Sequence, residues 1–207
     1  RCLVIAGAIG EKRANQHQGI FMTGVSFDEH PFWDYALSVY GGDGVSAACI
    51  ALQDRHEIDV NLLLLSLWTA HDGRPPLTPA QFDALFEVSV SWNQEIVCDI
   101  RRLRARLSSG YGAVGERRRV AVRNAALTLE IDCEHVEMLA LAEVLGAPLL
   151  ENVDPPEARS VAVSNMKAYF TRRAVVADAE DFVALTTIVT AGYPGTDIAS
   201  VRSLWNE

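Results

Sequence analysis

Residues 78–107 read TPAQFDALFEVSVSWNQEIVCDIRRLRARL, and this stretch decides the fold class. Thr78 followed by Pro79 and, three residues on, Gln81 forms a capping box with proline in the first helical position. Behind it Leu85, Val88, Trp92, Ile96, Ile100, Leu103 and Leu107 recur every three or four residues. That spacing predicts one helix running to about Leu107 with a single buried stripe. Ser108 to Gly115, with three glycines, predicts a turn. A second long helix is expected from there to about Leu145, with Val120, Leu127, Ile131, Met138 and Leu145 as its stripe, stopped by Gly146 and Pro148. Two long helices joined by a short turn make an antiparallel hairpin.

The helix punctuation extends outward in both directions. Pro31 opens a helix bearing Trp33, Leu37 and Tyr40 that Gly41-Gly42 ends. Asp43 is the expected cap of the next helix, with Val45, Cys49 and Leu52, to about His56. Asp59 is the expected cap of a third, Val60 to His71. That third helix is apolar on nearly every side, with Leu62, Leu63, Leu64, Leu65, Leu67 and Trp68, so it must be surrounded by other helices. Downstream, Asp154-Pro155-Pro156 starts a helix with Val163, Met166 and Phe170. Asp178 caps another with Phe182, Leu185 and Val189, and Ile198, Val201 and Trp205 mark a short last one. No repeat, low-complexity tract or strand pattern is present. The expectation is an all-α protein: an irregular helical bundle whose long αα-hairpin packs on a central apolar helix.

Composition is consistent with this. The chain's 207 residues are 49% hydrophobic, enough to bury a core and to make disorder the wrong expectation. They suit one domain, 22–207, divided into a core bundle over 22–150 and C-terminal helices over 151–207. Met22 is the expected natural start, and residues 1–21 are read as a non-native or disordered extension. The longest apolar run, Val60 to Ala70, is far short of the ~20 residues that span a bilayer. Cys2, Cys49, Cys98 and Cys133 lie far apart with no metal or redox spacing, which points to a cytoplasmic setting.

The residues Phe32-Trp33-Asp34-Tyr35-Ala36-Leu37, Gly44-Val45, Leu52-Gln53-Asp54-Arg55-His56 and Asp59-Val60-Asn61-Leu62-Leu63-Leu64 carry a resemblance. With the run Trp92 to Arg106, they are similar to the DUF2390 family of uncharacterised proteobacterial proteins, also called TIGR02444. The resemblance covers roughly residues 32–145. It implies a bacterial cytoplasmic protein and brings no activity with it.

Three constellations are candidates for chemistry. Asp54, Arg55, His56, Asp59 and Asn61, with Gln53 and Glu57, form a polar knot at an interhelical turn. It is either an acid–base or ligand site or a tight corner in which Asp59 caps one helix and Arg55 or His56 satisfies the last carbonyls of the other. Asp132 and His135 stand at Asp-x-x-His spacing, but without the second copy and extra glutamates of a di-iron bundle. No metal site is therefore expected, and no cofactor motif occurs. The third constellation is Arg101, Arg102, Arg104, Arg106, Arg117, Arg118, Arg119 and Arg123, which the hairpin brings to one end of a chain with net charge −9. Arginines in the first turn of a helix oppose the macrodipole by a few tenths to ~1 kcal/mol, so Arg117 to Arg119 require a reason. A solvated, salt-bridged tip would supply one.

The first functional expectation is a non-catalytic adaptor or regulator whose arginine tip engages an acidic protein or a phosphate-bearing partner. The alternative is an enzyme or small-ligand module with a pocket near His56 and Asp59. Nucleic-acid binding by the tip comes third, since the overall acidity and the scarcity of aromatics among the arginines argue against it.

Overall fold

The structure is a computed structural model that describes residues 27–151 and 154–205. The expectations for residues 1–21, Cys2 and Met22 lie outside the described residues. Among those described there are eight helices and no strand. Helices α1 (Pro31–Tyr40), α2 (Val45–His56) and α3 (Val60–His71) come first. Helix α4 is one rod in three continuous segments: Pro79–Val88, a π-helical stretch Ser89–Val97, and Cys98–Arg106. Then come α5 (Glu116–Leu145), α6 (Pro155–Arg172), α7 (Ala179–Gly192) and α8 (Ile198–Leu204).

Helix α3 is the hub. Every residue from Val60 to Ala70 is buried, and α1, α5, α6 and α7 surround it, with α6 making the most extensive contact. Each fully buried leucine along it contributes about 2 kcal/mol by removing apolar surface from water. Its buried polar groups are all satisfied. Ser66 Oγ donates to the Leu62 carbonyl at 3.0 Å, and Thr69 Oγ1 to the Ser66 carbonyl at 3.1 Å. Asn165 of α6 donates to Thr69 Oγ1 at 3.0 Å and accepts from Leu77 N at 2.8 Å. The core continues without interruption into α6, α7 and α8.

Most caps are where the sequence puts them. Thr78 and Gln81 form the full capping box, Asp59 accepts from the amides of Asn61 and Leu62, and Asp178 forms a capping box with Asp181. Helix α2 is the exception. Its cap is Gly44, at φ 77°, and not Asp43, because the chain turns there through the left-handed region that glycine enters at low cost.

The hairpin of α4 and α5 is antiparallel, with contacts that step up α4 as they step down α5. Asn93 meets Glu137, Arg101 meets Glu134, Arg104 meets Glu130, and Arg119 reaches Leu107. Its facing residues differ from the predicted stripes. On α4 the inward positions after Leu85 are Ser89, Asn93, Val97 and Arg104, while Ile96 and Leu103 are 38% and 51% exposed. The π segment explains the shift. Its hydrogen bonds reach back five residues, as Cys98 N does to the Asn93 carbonyl, so each turn holds more residues and the inward face advances by one position. On α5 the buried face carries Ala126, Glu130, Glu134, Glu137, Met138, Leu141 and Leu145. Val120, expected inside, is 37% exposed.

Candidate functional site

Three glutamates on the inner face of α5 shape the site. Glu130 is 0% exposed, Glu134 3% and Glu137 0%; a carboxylate is rarely found so deep unless it is paired. Glu130 is paired twice: Arg101 Nε donates to its Oε1 at 3.1 Å, and Arg104 bonds both its oxygens. Arg104 is itself 5% exposed, so this ion pair is fully internal. Arg101 also donates to Glu134 Oε1 at 2.9 Å, while Glu134 Oε2 is buried with no hydrogen-bond partner. Burial first, and then the neighbouring Glu130 and Asp59 against the opposing pull of Arg101, lift the Glu134 carboxyl to about 7.

One turn on, Glu137 Oε2 accepts from Asn61 Nδ2 at 2.8 Å and from Asn93 Nδ2 at 2.9 Å. Its other oxygen has no N–H or hydroxyl donor, and the Asp59 carboxyl lies within hydrogen-bonding reach of the Glu137 carboxyl. Burial, with Asp59 next, pushes the Glu137 carboxyl well above its ordinary range. Loss of water and a second carboxyl beside it both favour the protonated form of Glu137. Asp59 is held from three other directions: it caps α3, accepts from Ser89 Oγ at 2.6 Å, and its backbone amide donates to Tyr169 Oη at 2.8 Å.

A cleft of about 430 Å³ opens over Asp59. Its walls are the α2–α3 corner (Gln53, Glu57, Ile58), the π segment and the turn after it (Ser89, Asn93, Gln94, Arg101, Arg102), and Tyr169 and Arg173 of and just beyond α6. Beneath it a water-sized crevice of about 10 Å³ reaches Asn61, Arg101 and Glu134. Arg173 donates from one terminal nitrogen to the Glu57 carbonyl at 3.1 Å, and its buried Nε has no partner. The π turn is what aims Ser89 and Asn93 at Asp59 and Glu137. Such turns are frequent at functional sites for this reason.

The predicted site residues separate into groups. Of the polar knot, Asp59 and Asn61 belong to the network just described. Arg55 and His56 point the other way and do not satisfy carbonyls of α2. They bind the start of α7, with Arg55 paired to Asp178 and, at 2.8 Å, to Asp181, and His56 Nε2 lying 2.9 Å from Asp181 Oδ2. The Arg55 hydrogen bond, with backbone amides of α7, holds the Asp178 carboxyl down at about 2. Asp54 is exposed. His135 stacks on Trp33, centroids 3.9 Å apart and planes within 6°. Among the described residues no group of three or more potential ligands is arranged to hold a metal ion.

The eight arginines expected as one basic tip also divide. Arg101 and Arg104 turn inward to the glutamates because the advanced face of α4 carries them there. Arg102 pairs with Asp99. Arg119 donates to the Leu107 carbonyl at the end of α4, and Arg123 Nε to Ser108 Oγ at 3.0 Å. Arg119 thus places its charge at the negative end of the preceding helix, which offsets the cost of opening α5 with arginines. Arg106, Arg117 and Arg118 stay exposed and form no ion pair among the described residues.

The buried glutamates were missed from the sequence. Their spacing of four and three is helical, but a Glu-rich helix face ordinarily reads as solvated. The readable signal was the matching pair of arginines on α4 at Arg101 and Arg104.

Fold and site together define an all-helical protein built on one apolar hub, with a buried carboxyl network beneath a polar cleft. Residues 31–141, more than half of the chain, match the profile of a family described as protein of unknown function (DUF2390), and the chain belongs to that family. The matched span holds the network from Asp59 to Glu137; Tyr169 and Arg173 lie beyond it. No curated protein and no solved structure matches the chain. No helix among the described residues is long and apolar enough to cross a membrane.

Proposed function

We propose that this protein is a binding module for a small anionic ligand, a carboxylate or phosphate, held in the cleft above Asp59. The observation that carries the reading is Arg173, which lines the cleft together with Arg101 and Arg102 and keeps a buried Nε with no acceptor. An unpaired buried donor costs about 1–3 kcal/mol, which an anionic oxygen would offset. Ser89, Asn93 and Gln94 supply neutral hydrogen-bonding groups around it, and Ile58 and Phe86 an apolar wall. The reading places the protein in the cytoplasm, supported by the free thiols of Cys98 and Cys133.

The test is thermal unfolding with inorganic phosphate and with citrate, beside native mass spectrometry of the purified protein. A ligand at a hundred times its Kd should raise Tm by roughly 5–10 °C, and Arg173→Met should abolish the rise. No shift with either anion and no co-purified molecule would sink the reading.

A second reading, an adaptor engaging an acidic protein, draws support from Arg106, Arg117 and Arg118 together with Tyr111 and Val114, which are 49% and 48% exposed on the same turn. Charge reversal at Arg106 and Arg117 should remove such a partner in a pull-down while helicity is unchanged. Unaltered capture would dismiss it. Arg119 is unsuitable for that experiment because it caps α4.

A further inference from the structure

Helix α5 is amphipathic in reverse over its middle turns. The face turned to α4 holds Glu130, Glu134 and Glu137. The opposite face holds Ala121, Val122, Ala125 and Leu129, all exposed, with Val122 at 56% and Leu129 at 47%. Along that outer face Arg118, Val122, Ala125, Leu129 and Asp132 follow one another at alternating steps of four and three. This is the spacing of a coiled-coil seam, and an apolar seam on the solvent side of a long helix calls for a partner.

The order of charges along the seam identifies the partner. It begins on an arginine, ends on an aspartate, and has its smallest residue in the middle. An antiparallel copy of the same seam, turned about a two-fold axis at Ala125, sets Arg118 against Asp132 at both ends, Val122 against Leu129, and alanine against alanine where the helices come closest. Self-complementarity of this kind is what an isologous contact requires. Sliding the axis to Leu129 would put Arg118 against Leu139 and Asp132 against Ala125, and the opposite charges at the two ends would no longer meet. Toward its C-terminal end the seam is closed off, since α1 packs on α5 there and Trp33 and Phe27 cover His135.

We propose that the outer face of α5 is a homodimer interface, pairing antiparallel with the same face of a second copy of this chain. The seam is short and buries less than the about 800 Å² per partner of a standard interface, so the dimer is concentration-dependent. The cleft over Asp59 shares no lining residue with the seam.

Sedimentation velocity from low to high micromolar protein should show the mass rising from one chain to two. Leu129→Glu, at an exposed position that leaves the circular dichroism unchanged, should keep the protein a single chain throughout. Arg118→Asp and Asp132→Arg should each weaken the dimer tenfold or more, and the two together should restore it. A single chain at the highest concentration overturns the proposal, whatever else the seam binds. So does a dimer indifferent to Leu129→Glu, and failure of the double exchange to restore a dimer that the single exchanges weakened overturns the antiparallel register. If Asp132→Arg fails to fold, the Leu129→Glu and Arg118→Asp results decide.

Discussion

Burial and the neighbouring Asp59 favour the protonated form of Glu137. One oxygen accepts from Asn61 and Asn93, and the protonated acid would also donate to the Asp59 carboxyl. A glutamine does the same with its carbonyl and its amide. Glu137→Gln should therefore lie within about 1 kcal/mol of the native stability by urea unfolding, whereas Glu137→Ala, which strands three partners, should cost about 3 kcal/mol. Equal losses would show that the proton is not there. Glu134 differs, because its carboxyl is raised from 4.5 to about 7. A raised carboxyl binds its proton more tightly folded than unfolded. Its contribution is complete below pH 4.5 and is lost as pH rises through about 7, up to about 3 kcal/mol in all. Glu134→Gln removes that component, so the difference between native and variant stability should change across this window and be flat on either side. A constant difference would contradict the shift.

At the scale of helices, the seam between α4 and α5 depends on an internal ion pair. Breaking one partner of such a pair leaves a buried charge, while replacing both with apolar groups of similar volume is far milder. Arg104→Met alone should destabilise by about 3–5 kcal/mol, and Arg104→Met with Glu130→Met should recover most of it; additive losses in a double-mutant cycle would argue against the pairing. The helices themselves were legible from caps and apolar spacing: the Thr78 box, the Asp59 and Asp178 caps, the apolar hub and the glycine turn all appear where residue types demand them. What was not legible is which face of the hairpin is inside. Both predicted stripes assumed a regular α-helical turn and apolar residues inward. The π turn at Ser89–Val97 rotated α4 so that Ile96 and Leu103 came out and Arg104 went in. The arginines and glutamates that look like two solvated surfaces neutralise one another in the interior. A pattern of single residues cannot reveal that, because each charge is tolerable inside only when its partner on the other helix is already placed. Asp59 and Asn61 were recognised as notable, but the cleft residues of α6 are joined to them by tertiary contact alone.

For the whole molecule, the family span and the folding unit are not the same thing. The profile ends at Leu141, within α5, which invites the view that α6–α8 are an appendage. The packing argues otherwise. Helix α6 covers the hub more extensively than any other helix does, burying Ala162, Val163, Met166 and Tyr169 against it. It also supplies the only described partners for two buried polar groups: Asn165 for Leu77 N, and Tyr169 for the Asp59 amide. Helix α7 closes another side. A methyl group at Gly192 would fall 2.5 Å from the buried Leu67 side chain and 2.7 Å from Tyr35 Oη, so the three helices meet there with no slack. A chain ending after residue 151 would expose a flank of α3 whose leucines each hold about 2 kcal/mol, against a net stability of only 5–15 kcal/mol for a typical domain. It should retain helical far-ultraviolet dichroism but lose near-ultraviolet signal and cooperative melting, and the cleft's response to anions should go with them. A cooperative thermal transition from that truncated chain would show that α1–α5 carry the core unaided, and the hub would have to be understood as stabilised by the hairpin and α1 alone.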